Sequence, residues 1–223
     1  MSDFQKEPQK VVVVGASGFG RESLDVLEAM ISAGHNIEIL GVLDDSPSDE
    51  NLRRLVAREI QYLGKVDDFL SEVSRDTQYL VGIGSPRIKS TIAEKFDAIG
   101  VEAFTAIHPR ALIGSQVEIA PGVVICSGAT ISTNVKLGRH VHLNPCVIVG
   151  HDSVLEDFVS VNPGGVVSGE VVVEEGALIG ATALILQQLS VGKSAIIGAG
   201  SVVTKSVPLS VVVKGVPGRW DAN

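Results

Sequence analysis

Aliphatic residues recur at every sixth position over the second half of the chain. The series begins at Ile107 and continues without a gap to Val203. Four residues after each member the side chain is usually small or Val, as at Ala129 and Val141, with Leu189 as a bulky exception. A period of six is neither the 3.6-residue period of a helix nor the simple alternation of a strand. The pattern therefore predicts hexapeptide repeats.

Three hexads of this kind form one triangular coil, in which each hexad supplies a short strand and a turn. The first aliphatic residue of each hexad points into the core, and residues 18 apart stack in columns about 4.8 Å apart. The sequence thus predicts an all-β, left-handed parallel β-helix over residues 107–223. The alternative is another β-solenoid that has no catalytic role.

The first part of the chain has a different pattern, in which short apolar runs alternate with helical stretches. The predicted strands lie at residues 11–14, 37–43, 79–84 and 101–105, and the predicted helices at 21–33 and 86–99. Alternating strands and helices are typical of an α/β sheet of Rossmann type. We place this Rossmann-like domain at residues 1–106.

A glycine-rich turn, GASGFG at residues 15–20, joins the first strand to the first helix, and the second strand ends in Asp44 and Asp45. Such a turn brings phosphate to a helix N-terminus, and an acid after the second strand can accept ribose hydroxyls. Ser17 replaces the middle glycine of the dinucleotide motif. The turn therefore fits the nucleotide half of an activated sugar better than a redox NAD site. The alternative is that the glycines only tighten the turn and the two acids only cap a loop.

Composition argues against several functional classes. The net charge is −8 and Lys and Arg form no run, which disfavours nucleic acid and anionic membranes as partners. The chain opens with no apolar leader, and no apolar stretch approaches the roughly 20 residues that cross a bilayer. We predict a cytoplasmic protein with no bound metal, in which the two cysteines, Cys126 and Cys146, are small packing residues.

Taken together, the motifs resemble a known family. GASGFG at 15–20, LDD at 43–45, GIGSP at 82–86, LNPCVIVGHD at 143–152 and GVP at 215–217 are similar to the bacterial sugar acetyltransferases that include NeuD and PglD. NeuD acetylates a sialic acid hydroxyl and PglD an amino sugar of bacillosamine synthesis. The resemblance covers nearly the whole chain and implies a homotrimer. It also implies acetyl-coenzyme A in a groove between adjacent solenoids, with the acceptor held partly by the front domain of one subunit.

The resemblance further implies which residues form the site. The catalytic histidine and acid of the family match His151 and Asp152. Its substrate contacts match Ser17, Gly18, Asp44, Asp45 and Gly84 for the nucleotide and Asn144 for the acceptor. Its coenzyme contacts match Ser160, Gly169, Ala181 and Ala199. A structural asparagine ladder is the alternative for Asn144, because Asn162 lies 18 residues further on.

The residues themselves support His151 as a general base. It is the third residue of the hexad that begins at Val149, so its side chain points outward. An acceptor amine or alcohol loses a proton as it attacks a thioester, and imidazole titrates near neutral pH. Asp152 could orient the ring, and a purely structural role for His151 is the alternative. By contrast, we place His108 at the domain junction and interpret His140 and His142 as solvated surface or interface residues.

The 18-residue spacing gives an argument that is independent of the resemblance. One coil beyond His151 the chain has Gly169, so no side chain stands beside the proposed base. Small residues also fill two adjacent columns, Pro163, Ala181 and Ala199 in one and Asn162, Gly180 and Gly198 in the other. They predict a groove of roughly 10 Å along the solenoid that suits a pantetheine arm. The alternative is that small residues only suit tight turns.

Two positions depart from the family pattern. Phe19 stands where the bacillosamine-type enzymes carry a histidine near the substrate, so we assign Phe19 to the substrate-binding set. Ser160 stands where many members have a second histidine near the acetyl thioester. Since His151 is kept, these changes indicate a different sugar or a different position of acetylation rather than loss of activity.

The sequence therefore predicts an N-acetyltransferase that uses acetyl-coenzyme A and acts on a nucleotide-linked amino sugar. Transfer would be direct, in a ternary complex, with His151 as the base. An O-acetyltransferase acting on a sialic acid or related sugar is the second hypothesis. A third, from another class, is a non-catalytic trimeric scaffold whose front domain binds a nucleotide.

Overall fold

The computed structural model describes residues 7–221, which form a front domain followed by a solenoid. The elements of the front domain are β1 (Gln9–Val14), α1 (Gly18–Ser32), β2 (Ile37–Leu43), α2 (Asp49–Val56), β3 (Tyr62–Gly64), α3 (Val66–Leu70), β4 (Thr77–Val81) and α4 (Pro86–Asp97). The four strands form one parallel sheet in the order β3-β2-β1-β4.

Strand β1 is the centre of this sheet, and its four valines, residues 11–14, are at most 1% exposed. Val11 and Val13 pack in one cluster with Leu24 and Leu27 of α1, while the cluster on the other side of the sheet contains Val12, Val14 and Phe96 of α4. Burial on both sides explains a continuous apolar run, as is usual for parallel strands. The carboxyl ends of β1, β2 and β4 consequently lie along one edge of the sheet, where α/β domains bind ligands.

The solenoid consists of two-residue strands that stack into three parallel sheets. Face 1 contains Ala106–Ile107, Val124–Ile125, His142–Leu143, Ser160–Val161, Leu178–Ile179, Ile196–Ile197 and Val212–Val213. Face 2 contains Leu112–Ile113, Thr130–Ile131, Ile148–Val149, Val166–Val167, Leu184–Ile185 and Val202–Val203. Face 3 contains Glu118–Ile119, Lys136–Leu137, Val154–Leu155, Val172–Val173 and Ser190–Val191.

In each two-residue strand of the solenoid, the first side chain points outward and the second points into the core. The predicted aliphatic series supplies the inward residues, which are at most 3% exposed from Ile125 to Val203 and form one continuous core. In the first coil the series is less covered, since Ile113 is 40% exposed. Every sixth residue from Gln116 to Gly200 has a left-handed backbone, with φ between 54° and 79°, and closes a turn. The β-helix prediction is therefore confirmed.

The prediction for the front domain was right in type but incomplete. Residues 101–105 form no strand, and Ala103 makes only an isolated bridge to Tyr79. Residues 49–70, which the sequence analysis left unassigned, form two short helices and the edge strand Tyr62–Gly64. These elements are too short to show a clear period, which is why the pattern missed them.

The two parts of the chain share an apolar contact. One cluster joins Leu24 and Leu27 of the front domain to Ala106, Val124 and Cys126 of face 1. The front domain therefore covers the early coils of face 1, including the strands at His142 and Ser160. Within residues 7–221 no helix is both long and apolar enough to cross a membrane.

Candidate active site

His151 lies at the corner between face 2 and face 3, in the turn that follows strand Ile148–Val149. Its side chain is 55% exposed, so the outward direction predicted from the hexad is observed. The ring Nδ1 lies 2.7 Å from Asp152 Oδ2. If Nδ1 carries the hydrogen that it donates to this carboxylate, Nε2 is left as the free acceptor.

The carboxylate of Asp152 is itself held in place. Asn134, one coil earlier, donates from Nδ2 to Asp152 Oδ1 at 2.8 Å, so the acid uses one oxygen for each neighbour. The hydrogen bonds from Asn134 and His151 lower the pKa of Asp152 below its ordinary value. Asp152 therefore stays ionised at neutral pH and can orient the imidazole and stabilise its protonated form.

Gly169 lies directly against the ring of His151. A Cβ built on Gly169 would lie 2.7 Å from His151 Nε2 and 2.8 Å from Cε1, closer than real side chains come. The backbone of Gly169 is not left-handed, so the contact with the ring, rather than the backbone conformation, demands a glycine. The column argument thus identified the right neighbour, and the glycine keeps the free ring nitrogen uncovered.

The glycine-rich turn contains two kinds of glycine. Gly15 and Gly20 pack against each other and against Gly82, since a Cβ on Gly20 would lie 1.7 Å from the Gly15 carbonyl oxygen. Gly18 and Gly84 instead have no atom within 4 Å of a built Cβ. Both open glycines are exposed at the carboxyl edge of the sheet, next to Ser17, whose side chain makes no capping hydrogen bond.

Asp44 and Asp45 both hold backbone in place. Asp44 accepts from the Ala16 amide with Oδ2 (2.8 Å) and from the Ser46 amide with Oδ1 (2.9 Å). Asp45 accepts from the Val66 amide with Oδ1 (2.8 Å) and is exposed. These bonds are those of the loop-capping alternative, and Asp44 also ties its loop to the glycine-rich turn.

Asn144 is almost buried, with 7% exposure, and its Nδ2 donates to the carbonyl oxygen of Val161 on the next coil at 3.0 Å. The contact is structural, but it goes to a backbone oxygen and not to the side chain of Asn162, so it is not the predicted asparagine ladder. A contact with the acceptor would have to use the remaining polar groups of the side chain.

The four residues matched to the coenzyme do not come together within this chain. Gly169 lies at the same corner as His151, whereas Ala181 and Ala199 lie at the corner between face 1 and face 2. Ser160 points outward on face 1 but is 1% exposed, because the front domain covers it. Its hydroxyl accepts from Lys89 Nζ (3.0 Å) and donates to the carbonyl oxygen of Gly84 (3.2 Å).

His140 and His142 are not solvated, which corrects part of the sequence interpretation. Both are 0% exposed at the contact between the two domains. His142 packs against Phe19 with ring centroids 4.7 Å apart, and His140 packs between Tyr79 and Phe158. Burial lowers the pKa of His140 to about 4 and that of His142 well below its ordinary value.

The two cysteines differ in their exposure to solvent. Cys126 is buried at 2% exposure, and burial raises the pKa of its thiol to about 12, as suits a packing residue. Cys146 is exposed at one of the left-handed turn positions, so the prediction that it packs in the core is wrong. Among the described residues, no group of three or more His, Cys, Asp or Glu side chains is arranged to hold a metal ion.

Comparison with protein-family models matches both parts of the chain. The model of the PglD N-terminal domain matches residues 10–96, and that of the hexapeptide repeat of succinyl-transferase matches residues 107–139 and 170–205. The order of the two matches is that of the predicted domains. The chain therefore carries an N-terminal domain of the PglD type followed by hexapeptide repeats.

Individual proteins of known activity or structure are similar to both parts of the chain. The GDP-perosamine N-acetyltransferase of Escherichia coli O157:H7 is 33% identical over 150 residues, which are 66% of this chain and 65% of that protein. The chain thus matches a little less than two thirds of that relative's length. The acetyltransferase domain of PglB from Neisseria gonorrhoeae FA1090 is 28% identical, with a TM-score of 0.85 over 96% of this chain and 100% of that one. WeeI from Acinetobacter baumannii AYE is 28% identical, with a TM-score of 0.81 over 95% and 99%.

Sequence reasoning missed Lys89, a lysine that is fully buried at the contact between the two domains. It lies on α4 with 0% exposure and donates to Ser160 Oγ and, at 3.3 Å, to the carbonyl oxygen of Val159. A single lysine on an amphipathic helix gives no signal of burial. The signal lay on the solenoid, where His142 and Ser160 interrupt an otherwise apolar outward column on face 1 and so mark a covered, polar contact.

Proposed function

We propose that this protein is an N-acetyltransferase that transfers the acetyl group of acetyl-coenzyme A to the amino group of a nucleotide-linked sugar. The observation that carries the proposal is the corner formed by His151, Asp152 and Gly169, where an oriented imidazole has an uncovered ring nitrogen. The relative from Escherichia coli is a GDP-perosamine N-acetyltransferase, and the PglB domain has also been solved with acetyl coenzyme A.

The geometry supports direct transfer in a ternary complex. The acceptor nitrogen attacks the thioester carbonyl carbon and forms the C–N bond, while His151 Nε2 takes the proton that this nitrogen loses. The C–S bond then breaks, and the leaving coenzyme thiolate takes the proton from His151, which returns the imidazole to its neutral form. Asp152 holds the ring through Nδ1 and stabilises the charge that the ring gains.

The front domain supports the nucleotide part of the proposal. The open glycines Gly18 and Gly84 let a ligand approach the backbone at the carboxyl ends of two neighbouring strands. Ser17 stands at the N-terminus of α1, where backbone amides favour a phosphate. We assign to Asp44 and Asp45 the support of this edge, with the free oxygen of Asp45 able to accept a ribose hydroxyl.

A homotrimer would bring the separated coenzyme positions together. Apart from Thr130, the outward column of face 2 is aliphatic, and two of its members are open to solvent, Leu112 at 66% and Ile148 at 47% exposure. If face 2 of each subunit points to a three-fold axis, the corner of His151 and Gly169 meets the corner of Ala181 and Ala199 on the next subunit. The coenzyme would then lie between these two corners. Ser160 remains outside this groove, under its own front domain.

The sialic acid O-acetyltransferase stays the second candidate. Phe19 favours it over a bacillosamine-type acceptor, because its ring packs on His142 and offers no hydrogen bond to a sugar amine. An oxygen acceptor would use the same base, so the corner alone does not choose between the two.

The deciding experiment follows thiol release from acetyl-coenzyme A with UDP-, GDP- and dTDP-linked 4-amino sugars, and with free sialic acid. Turnover with one nucleotide amino sugar supports the proposal, and turnover with sialic acid alone supports the second candidate. Binding of a nucleotide sugar without thiol release from any acceptor would instead support the non-catalytic scaffold.

The trimer has its own test with a matched control. Ile148→Glu places a charge on the outward column of face 2, while Val172→Glu does the same on face 3, where the original residue is 38% exposed. We expect Ile148→Glu to be a monomer in light scattering and to lose at least about tenfold in activity, because burying an unpaired charge is costly. Val172→Glu should remain a trimer with unchanged activity. Two trimeric variants would overturn the arrangement around face 2.

A further inference from the structure

Two polar side chains interrupt the outward column of face 1. His142 and Ser160 are direct partners in the ladder between their strands, and their neighbours in the same column are Val124 and Leu178. Both polar residues are at most 1% exposed, because the front domain covers this part of the face. Buried polar groups are kept only where they make specific contacts, so each of the two raises the question of what it holds.

Ser160 holds the loop that follows β4. Its hydroxyl donates to the carbonyl oxygen of Gly84 at 3.2 Å and accepts from Lys89 Nζ at 3.0 Å. Lys89 lies one helical turn beyond Ser85, at the start of α4, so the loop is tied to the solenoid at both of its sides. No acid among the described residues pairs with Lys89, and burial lowers its pKa well below its ordinary value.

His142 holds the other loop, the glycine-rich turn. Its ring packs against Phe19 at 4.7 Å between centroids. Within residues 7–221 neither ring nitrogen has a well-formed hydrogen bond, although the backbone of Val81 lies near enough to affect the ring. The contact with the turn is therefore one of ring against ring.

We infer that His142, Ser160 and Lys89 are positioning residues, which fix the two substrate-binding loops of the front domain relative to the solenoid. Each loop has one anchor on the solenoid: Phe19 on His142 for residues 15–20, and Gly84 with Lys89 on Ser160 for residues 82–85. Because the two anchors are adjacent in one ladder, the two loops are fixed to neighbouring coils of the solenoid. The inference deepens the proposed function and rests on it, since the substrate role of these loops is part of that proposal.

The anchors affect binding of the sugar more than binding of the coenzyme. None of them contacts the corner at His151, which lies between the other two faces. Losing an anchor leaves its loop free to sample other positions, which weakens the ligand that the loop binds. A variant should therefore raise the KM for the nucleotide sugar about fivefold or more and leave the KM for acetyl-coenzyme A unchanged.

The test uses hydrogen exchange of the full-length protein, because exchange reports loop opening without any turnover. In Ser160→Ala we expect exchange about tenfold faster in peptides from residues 82–88 and unchanged exchange in residues 15–22. In His142→Leu we expect the reverse. Lys95 lies on α4 like Lys89, but it forms an exposed ion pair with Asp67. Lys95→Met is therefore a matched control that should change the exchange of neither loop.

The inference is supported if each variant speeds exchange in its own loop and leaves the other loop unchanged, which is a crossed pattern. Loosening of both loops in either variant would show a general structural role and overturn it, as would no change in either loop. If Ser160→Ala does not fold, Lys89→Met removes the same hydrogen bond from the other side and should loosen residues 82–88 alone. A crossed exchange pattern in a protein without acetyl transfer would sink the proposed function and keep the anchors, whereas turnover with uncrossed exchange would do the opposite.

Discussion

The two histidine regions of the solenoid differ in what surrounds them. His151 stands at a corner, 55% exposed, with one ring nitrogen on a carboxylate and the other beside a glycine. His140 and His142 also belong to the hexapeptide repeats and also point away from the solenoid core. Both are nevertheless 0% exposed, because the front domain covers them. The repeat decides in which direction a side chain points, but another part of the chain decides whether that direction leads to solvent. An outward histidine can thus become a base or a packing residue.

The largest effect is expected from the exposed region. His151→Ala removes the proposed proton acceptor, so turnover should fall by roughly 10² or more, as is typical when a general base is lost. The free energy of unfolding should hardly change, because the side chain is half exposed. Steady-state thiol release measures the turnover and urea unfolding measures the stability, while calorimetry should show that acetyl-coenzyme A still binds. His35→Ala, at another exposed histidine, is the control, and full activity in His151→Ala would remove His151 from the mechanism.

Changes in the buried region of His140 and His142 should affect the stability of the protein rather than its turnover. Burial, helped by Arg139 and Lys89, lowers the pKa of His140 to about 4. The unfolded chain therefore binds a proton at this residue below about pH 6.5, while the folded chain does so only near pH 4. Above pH 6.5 His140 is neutral in both states and does not make the free energy of unfolding depend on pH. As the pH falls below 6.5 the free energy of unfolding decreases, by roughly 3 kcal/mol at pH 4.

The variant His140→Asn isolates this loss. Asparagine tolerates the left-handed backbone at this position, where φ is 54°, and does not titrate. Urea unfolding at several pH values between 7 and 4, at one protein concentration, should show a shallower loss of stability in His140→Asn than in the unaltered protein. His35→Asn, at an exposed histidine, should keep the original slope. Equal slopes in all three proteins would mean that His140 is not held neutral by the fold.

The same contrast explains what the sequence could predict. The aliphatic series from Ile107 to Val203 is a local property of the chain, and it determined the coils, the corner of His151 and its contact with Gly169. Contacts between the domains follow no period, so the burial of His142, Ser160 and Lys89 could not be inferred from spacing. The positions of Ala181 and Ala199 on a different corner from His151 could have been counted from the hexads, because one hexad separates neighbouring corners.

The smallest expected effect tests whether the corner of His151 depends on an open neighbour. In Gly169→Ala the new methyl group would lie 2.7 Å from His151 Nε2, so the ring must turn away from its present position. The backbone at Gly169 accepts alanine, and we expect turnover to fall about tenfold with little change in unfolding. The decisive comparison is with the double variant. Since the effect acts through the ring, Gly169→Ala should cause no further loss in a His151→Ala background. A tenfold loss in both backgrounds would instead mean that Gly169 acts on the coenzyme, through the groove, and not on the base.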